Sequence, residues 1–231
     1  MLKFLGVGNA FANKNTSAFF VRDSDLYLFD CGETVFYQLK KLRLLENKKN
    51  IYIFLTHFHS DHSGGLGTVL FYLAAKGYNS KNVKVFSPER KNLLMLLKLF
   101  DVQDLCEILT EKEVNELGID FYRQKHNRLF SYGYLIKNAN SKEYFSGDTE
   151  EMPKEILTML LNNNLDALYI DTSESENNGY HLCYKKLLEL IPVEFRKKVY
   201  CMHLKENFDY NLIEQFNVLK ELEVDDDRDM R

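Results

Sequence analysis

Short apolar runs rich in β-branched and aromatic residues alternate with longer stretches of helical spacing along this chain. The clearest run, Ile-Tyr-Ile-Phe-Leu at 51–55, predicts a buried strand. A polar segment follows it, Ser-Gly-Gly at 63–65 breaks the pattern, and the mostly apolar positions 66–75 are long enough for a helix. The polar segment is therefore predicted to be a strand-to-helix loop, where a rigid element can aim several side chains at one point.

Comparable patterns predict the remaining elements. Further strands are predicted at 2–7, 17–21, 26–30, 82–86, 132–136, 143–145, 168–170 and 199–203, and further helices at 93–100, after 153 and from 181. Such mixing favours an α/β (α+β) chain in which two sheets pack face to face and are covered by helices. No Gly/Ser-rich linker and no internal sequence repeat divides the chain, so we expect one domain over 1–231, with a charged, acidic tail at 222–231 that frays.

Composition narrows the class of protein. The 231 residues are 45% hydrophobic, which is enough to bury a core without disulfides. The net charge of −4 differs from the basic balance of proteins that bind nucleic acid by neutralising phosphates. No apolar span reaches the length of a membrane helix, no secretory leader is recognisable, and the four scattered cysteines suit a reducing compartment. These features predict a cytoplasmic protein with no membrane partner.

The predicted strand-to-helix loop contains four potential metal ligands within six residues. His57, His59, Asp61 and His62 form a His-x-His-x-Asp-His pattern. Neutral imidazole and carboxylate groups suit Zn²⁺ and its borderline neighbours, and chance clusters of this spacing are rare. Structural zinc sites usually include cysteines, but this chain has no Cys-x-x-Cys pair. An all His and Asp site favours a catalytic metal.

Three downstream residues are weaker candidates when each is taken alone. His126 stands among basic residues and could be a solvated loop residue. Asp148, in Gly-Asp-Thr, could cap the helix that is predicted after Pro153. His203 ends an apolar run and could be a core histidine with a satisfied hydrogen bond. The sequence alone leaves these alternatives open.

The loop pattern, followed by small residues, resembles the first metal motif of the metallo-β-lactamase superfamily. His126 before a strand, Asp148 after a strand and His203 closing a late strand match the later motifs of that family in the same order. The segment 28–33 (Leu-Phe-Asp-Cys-Gly-Glu) is similar to the strand and turn that lie beneath the metals in the family. The resemblance covers nearly the whole chain, and it implies a four-layer αββα sandwich of the metallo-β-lactamase type.

The resemblance also implies two divalent metal ions, with zinc as the expected metal and manganese or iron as alternatives. One ion would be held by His57, His59 and His126, the second by Asp61, His62 and His203, and Asp148 would bridge the two. Two cations a few ångströms apart lower the pKa of a shared water and stabilise the entering and leaving oxygens. The expected nucleophile is therefore a metal-bridging hydroxide at neutral pH.

The sixth histidine, His181, bears on the kind of hydrolysis. It resembles the histidine of ribonuclease Z and related phosphodiesterases that lies between the fourth and fifth motifs and donates a proton to the leaving oxygen. Such an acid matters in phosphodiester hydrolysis because an alkoxide is a poor leaving group. Asp61 is a second candidate for proton handling. A capping or surface role at the start of a helix is the alternative for His181.

The chain departs from ribonuclease Z between the third and fourth motifs. Bacterial members with a tRNA-clamping arm carry a long insertion there, but the interval between His126 and Asp148 is short and mostly committed to strands. We therefore expect a small or cyclic phosphate ester or a short phosphodiester as substrate, and not tRNA. Arg123, Lys125 and Arg128 are candidates for phosphate recognition. Substrate size depends on how the loops around 9–16, 127–131 and 173–180 fold over the metals.

Other functions stay open at this point. An acyl hydrolase of the lactonase, thioesterase or β-lactamase type would use the same metals to attack a carbonyl group. A non-catalytic, metal-dependent binding module would be expected to have lost metal ligands, and none is missing from the pattern. Pairing of two copies into a homodimer is also compatible with the sequence.

Overall fold

The computed structural model describes residues 1–176 and 179–222. In this part of the chain, twelve strands and seven α-helices are formed. The strands are β1 (Lys3–Gly6), β2 (Ser17–Arg22), β3 (Asp25–Phe29), β4 (Ile51–Phe54), β5 (Val83–Phe86), β6 (Glu107–Ile108), β7 (Ile119–His126), β8 (Leu129–Lys137), β9 (Lys142–Phe145), β10 (Ala167–Asp171), β11 (Val199–Met202) and β12 (Asn217–Val218). The helices are α1 (Val35–Lys41), α2 (Ser60–Ser63), α3 (Leu66–Ala75), α4 (Arg90–Leu99), α5 (Glu111–Glu116), α6 (Lys154–Leu161) and α7 (Tyr184–Leu190).

The strands form two six-stranded sheets with the same succession of strand directions. The first sheet has the order β1-β2-β3-β4-β5-β6 and the second β12-β11-β10-β9-β8-β7. In each half of the chain two antiparallel pairings come first along the chain, and three parallel pairings follow. The two halves therefore share one topology, although the sequence shows no repeat.

Three apolar layers hold these sheets and their helices together. Aromatic side chains fill the space between the sheets, including Phe29 and Phe54 from the first sheet and Phe145 and Tyr169 from the second. Helices α1, α3 and α4 pack on the outer face of the first sheet, and α6 and α7 on the outer face of the second. All residues of β4 and β10 are buried, as expected for parallel strands with both faces covered. The predicted αββα sandwich is confirmed.

Hydrogen bonds join the two sheets at the base of the predicted metal loop, where the amide of Tyr132 donates to the carbonyl oxygen of Thr56 at 3.1 Å. Tyr134 lies on β8 and is fully buried, and its hydroxyl donates to the carbonyl oxygen of Leu55 at 2.7 Å. Leu55 directly follows β4 and stands two residues before His57. The second sheet thus holds the peptide from which the metal loop begins.

Several local expectations differ from the structure. His126, expected in a loop, is the last residue of β7, and a turn at Asn127 and Arg128 leads directly into β8. The helix expected from His181 begins only at Tyr184. From His126 to Asp148 the described chain contains only this hairpin, β9 and a short turn, so no arm extends from it. The tail expected to fray lies outside the described residues, except for Leu222, whose amide donates to the Phe4 carbonyl.

The structure also bears on membranes and cysteines. Among the described helices, none has both the length and the apolar character needed to cross a membrane. The four cysteines are buried and unbridged, as small core residues.

We expect Tyr134→Phe to lower the free energy of unfolding by about 1–3 kcal/mol, because it leaves the buried Leu55 carbonyl without its donor. Urea unfolding of the metal-free protein measures the change. Tyr37→Phe is the matched control, since that ring is 69% exposed and its hydroxyl should contribute less than about 0.5 kcal/mol. Equal effects of the two substitutions would contradict the expectation.

Candidate metal centre

The seven predicted metal-binding residues converge at one edge of the sandwich, where strands of both sheets end. Asp30 follows β3 and Thr56 and His57 lie just beyond β4, while Asp148 follows β9 and His203 follows β11. Because β3 and β4 are parallel to each other, as are β9, β10 and β11, their carboxyl ends open onto the same edge. Ligand sites in α/β sheets form at such edges.

The His-x-His-x-Asp-His segment is compact because it contains one turn of helix. His59 precedes α2, and Asp61 and His62 lie within it, where a loop had been expected throughout. The neighbouring backbone is very close: a Cβ atom on Gly32 would lie 2.0 Å from the carbonyl oxygen of Asp61. Glycine at this position therefore lets the helical turn pack directly against the turn that follows β3.

One group of side chains contains three histidines and one oxygen of Asp148. His57 Nε2 lies 2.9 Å from His59 Nδ1, and His126 Nε2 lies 3.3 Å from the same atom. Asp148 Oδ2 is 3.8 Å from His57 Nε2 and 3.6 Å from His126 Nε2. These four side chains could hold one metal ion.

A second group forms around the other oxygen of the same carboxylate. Asp61 Oδ2 lies 3.2 Å from both His62 Nε2 and His203 Nε2. Asp148 Oδ1 is 3.1 Å from His62 Nε2 and 3.4 Å from His203 Nε2. The four side chains could hold a second ion, and Asp148 is shared by both groups, as the family resemblance implies for a bridging ligand.

The donor atoms themselves indicate whether metal ions fit. His62 Nε2 and Asp148 Oδ1 are buried and lie 3.1 Å apart, but within the described residues neither atom makes a hydrogen bond of acceptable geometry. A buried polar atom without a partner costs on the order of 1–3 kcal/mol, which a coordinated cation would offset. Imidazole nitrogens and carboxylate oxygens without cysteine are the donors of catalytic zinc sites. The residues therefore fit two borderline divalent cations; ligation by each of them stays a prediction.

Neighbouring groups fix the orientation of the histidines. His62 Nδ1 lies 2.7 Å from Asp30 Oδ2, and Asp30 also accepts hydrogen bonds from the amide and hydroxyl of Thr56, at 2.8 and 2.9 Å. His126 Nδ1 donates to the carbonyl oxygen of Tyr180 at 2.8 Å. Because each Nδ1 is engaged, Nε2 of each ring is turned toward the centre.

Asp171, at the end of β10, contacts two histidines of the site and is not among the residues that the sequence predicted. One of its oxygens lies 2.7 Å from His181 Nδ1 and accepts the Thr149 amide at 2.9 Å. The other oxygen is 3.5 Å from His203 Nδ1. Its position at the end of a predicted strand, like that of Asp30, was the available signal.

His181 reaches the centre from the loop that precedes α7. Its Nδ1 is 3.9 Å from Asp148 Oδ2, and its ring centroid is 4.9 Å from that of His203. Because Nδ1 donates to Asp171, Nε2 is the atom that can exchange a proton with a substrate. Burial lowers the pKa of His181, but the carboxylate of Asp171 outweighs burial and raises the pKa above its usual value. The capping alternative is wrong, because α7 begins three residues later.

The alternatives for the other downstream residues can also be judged. Asp148 does not cap α6, because Pro153 occupies the N-cap position. His126 is a buried strand residue and not a solvated one. Of the basic candidates, Lys125 lies near His181 and is ion-paired with Glu150. Arg123 instead stacks on the ring of Phe130, 3.3 Å from its centroid.

The histidines of the two metal groups differ in the direction of their pKa shifts. Burial and the neighbouring His62 hold the pKa of His57 well below its usual value, so this ring is neutral. Burial also lowers the pKa of His62, but the carboxylates of Asp148, Asp30 and Asp61 outweigh it and raise the pKa well above the usual value. The carboxylates likewise outweigh burial at His203 and raise its pKa to about 10. In the metal-free chain, protons on His62 and His203 therefore balance the carboxylates.

The sequence and the fold of this chain are both similar to those of known proteins. The family model described as "Anti-Pycsar protein Apyc1" matches residues 1–94 and 83–220. The anti-Pycsar protein Apyc1 of Paenibacillus harenae is 27% identical over 227 residues, covering 90% of this chain and 91% of the relative. Ribonuclease Z of Methanocaldococcus jannaschii is 32% identical over 152 residues, covering 59% of this chain and 47% of the relative, so the match spans about half of that enzyme. The metallo-β-lactamase fold protein YhfI from Bacillus subtilis superposes with a TM-score of 0.74 at 14% identity, covering 95% of this chain and 96% of that chain.

We expect Asp30→Asn to weaken zinc binding by about 10- to 100-fold, because the amide no longer stabilises the His62 orientation that turns Nε2 toward the centre. Competition with a chromophoric chelator measures the affinity. Asp25→Asn is a matched control, because Asp25 lies at the opposite end of β3 and binds Asn50. Unchanged affinity in Asp30→Asn would show that this carboxylate does not support the site.

We also expect metal binding at pH 7 to release protons, and the apparent metal affinity to rise with pH. The reason is that His62 and His203, whose pKa values are raised, must lose their protons to ligate a cation. Calorimetric titration with zinc in two buffers of different ionisation enthalpy counts the protons. Identical enthalpies in the two buffers would contradict the charge balance described above.

Proposed function

The chain belongs to the Anti-Pycsar protein Apyc1 family, within the ribonuclease Z-like branch of the metallo-β-lactamase superfamily, and on this premise we propose that it is a phosphodiesterase with two divalent metal ions. Zinc is the proposed metal, with manganese or iron as alternatives. The proposed metal-binding residues are His57, His59, Asp61, His62, His126, Asp148 and His203. Metal ions bound there would lower the pKa of a water molecule and stabilise negative charge on phosphate oxygens.

The observation that carries the proposal is the position of His181. Its Nδ1 lies 2.7 Å from Asp171 and 3.9 Å from Asp148, the carboxylate shared by both metal groups, so the ring lies beside the centre. A histidine beside the centre can supply the proton that an alkoxide leaving group requires. A positioned acid of near-neutral pKa contributes roughly 10²- to 10⁴-fold to such a reaction. Carbonyl chemistry with a better leaving group has less need of this residue.

The remaining side chains have supporting roles in the proposed reaction. Asp171 would accept the hydrogen bond from His181 Nδ1 and favour the imidazolium form, so that Nε2 carries the proton that is given to the leaving oxygen. Asp61 lies 3.2 Å from His203 Nε2 and can accept a proton near the attacked phosphorus, although its first role is to bind metal. Both residues are buried, so they act in an environment from which most water is excluded.

The proposed substrate is a small, cyclic or short phosphodiester. The ribonuclease Z relatives are nucleases by name, and nucleases cleave phosphodiester bonds. This chain carries only a tight turn at Asn127 and Arg128 where a tRNA-clamping arm would begin. Its net charge of −4 also gives little general attraction for a long polyanion. These features support a compact ester and disfavour tRNA.

We expect zinc- or manganese-loaded protein to hydrolyse bis(p-nitrophenyl) phosphate, and both Asp148→Ala and His181→Ala to reduce kcat. For His181→Ala the loss should be at least about 10²-fold on thymidylyl-(3′→5′)-thymidine, whose leaving group is an alkoxide, and smaller on bis(p-nitrophenyl) phosphate, because p-nitrophenolate leaves without a proton. Chromatography of the products and release of p-nitrophenolate measure the two rates, and bound metal is counted in each variant. Asp120→Ala is a control carboxylate, since it pairs with Lys137 on the β7–β8 hairpin away from the centre.

A lactone and a thioester are assayed beside the diesters. Turnover of either that is indifferent to His181→Ala, together with no diester turnover, would assign the protein to the acyl hydrolases. Metal binding without turnover of any of these substrates would favour a binding module.

A further inference from the structure

His181 and Asp171 belong to a third group of potential metal ligands, which lies beside the second metal group. Its other two members are Asp148 and His203, and one donor atom from each of the four side chains lies within 4.8 Å of the others. Two metal–ligand bonds of about 2.0 Å at a tetrahedral angle place their donor atoms about 3.3 Å apart. The separations here are 2.7 Å between His181 Nδ1 and Asp171 Oδ2, and 3.5 Å between His203 Nδ1 and Asp171 Oδ1. The spacing therefore suits one small cation.

We propose that this third group is an inhibitory cation site. A zinc-type divalent cation that is present in excess binds to Asp171 and His181, and thereby removes the proposed proton donor from the reaction. Neither residue is among the seven proposed ligands of the two catalytic ions, so the site is additional to them. The location of the site depends on geometry, whereas the inhibition rests on the proposed phosphodiesterase function.

Two facing atoms of the third group are buried without a satisfactory partner. Asp171 Oδ1 and His203 Nδ1 make no hydrogen bond of acceptable geometry within the described part of the chain. The two side chains are only 0% and 3% exposed, so bulk water does not solvate these atoms. A buried polar atom without a partner is costly, and a cation beside these atoms would offset the cost. A water molecule is the alternative occupant.

The third group shares two side chains with the other metal groups, but it faces different atoms of one of them. His203 directs Nε2 toward Asp61 and Asp148, at 3.2 and 3.4 Å, whereas its Nδ1 faces Asp171. Asp148 Oδ2, which faces the first metal group, also lies 3.9 Å from His181 Nδ1. Because the shared side chains already serve the other two ions, a third ion depends mainly on Asp171 and His181. We therefore expect it to bind more weakly than the first two.

A cation can reach the third group from solvent. The side chain of His181 is 27% exposed, and a cavity of about 350 Å³ opens beside it. The carboxylates of Glu150 and Glu151 line this cavity together with Lys125 and Lys186. Lys125 is already paired with Glu150. The entrance is therefore close to neutral and does not repel a cation.

Coordination would disable His181 as an acid. The cation takes the lone pair of Nδ1, and the proton on Nδ1 is released to solvent. The N–H that remains on Nε2 is that of a neutral imidazole, which is a far weaker acid than imidazolium. Esters whose leaving group needs a proton should therefore be affected more than esters whose leaving group does not.

Zinc stoichiometry at equilibrium tests the site without turnover. All six histidines of the chain belong to the three groups, so an additional zinc ion on imidazole has no other place to bind. We expect equilibrium dialysis with metal analysis to count three zinc ions in wild type and two in His181→Ala. Asp171→Asn, the second variant, should weaken the third ion by at least about tenfold. Asp120→Asn is the matched control, because that carboxylate pairs with Lys137 away from the centre, and it should keep three ions.

Two diesters with different leaving groups test the inhibition. In wild type we expect excess zinc to lower kcat at least about tenfold for thymidylyl-(3′→5′)-thymidine, and by a smaller factor for bis(p-nitrophenyl) phosphate. A chelator that removes only the third ion should restore the rate. Excess magnesium, which prefers oxygen ligands, should not inhibit. In His181→Ala, excess zinc should cause no additional loss.

The possible outcomes separate the site from the proposed function. A count below three in wild type, as water in this position would give, overturns the site, and so does a third ion that persists in His181→Ala. Circular dichroism identifies a variant that has lost its fold, and Asp171→Asn then decides in place of His181→Ala. Three ions with equal inhibition of both diesters, or with none, overturn the inhibitory role. If the protein with two zinc ions hydrolyses neither diester, the proposed function fails, and the zinc count still decides the site.

Discussion

The mutual neutralisation of buried carboxylates and imidazoles is the interaction on which the rest of this structure depends. Asp30, Asp61, Asp148 and Asp171 are all buried at one edge of the sandwich, and burial of an unpaired carboxylate is costly. Each of them faces at least one histidine within 4 Å. Asp148 is the extreme case, since its two oxygens face two different groups of rings. The sheets must therefore meet at this edge in one fixed relation, or the charges would remain uncompensated.

The sequence was sufficient for the parts of the site that are close together along the chain or that follow a recognisable strand. The cluster from His57 to His62 could be predicted to bind metal from residue types and spacing alone. Asp148 and His203 became candidate ligands because of their order along the chain and their positions at the ends of predicted strands. The four-layer architecture followed from alternating runs and from the family resemblance. These features depend on residues that are close together along the chain, so the sequence pattern is enough to predict them.

What the sequence could not provide depends on contacts between distant residues. The long strand that ends at His126 has mixed polar and apolar positions, so the sequence pattern does not predict it. Pairing with β8, and not the local preference of its residues, determines its conformation. Asp171 acquires its role only because β10 lies beside β11 and its carboxylate meets two rings from different segments. The shared topology of the two halves is invisible in the sequence, because the same backbone arrangement is built from different side chains.

The distribution of the predicted ligands between the two sheets has a consequence for synthesis on the ribosome. The first four predicted ligands, from His57 to His62, lie in one short segment of the N-terminal half. Asp148 follows a strand of the C-terminal sheet, and His203 lies near the end of the described chain. An emerging chain that stops before β11 has neither the complete second metal group nor the strand that carries it. A nascent chain of this length would expose several imidazoles and a carboxylate with an incomplete set of predicted ligands, so the predicted second metal group can form only after β11 and His203 have been synthesised.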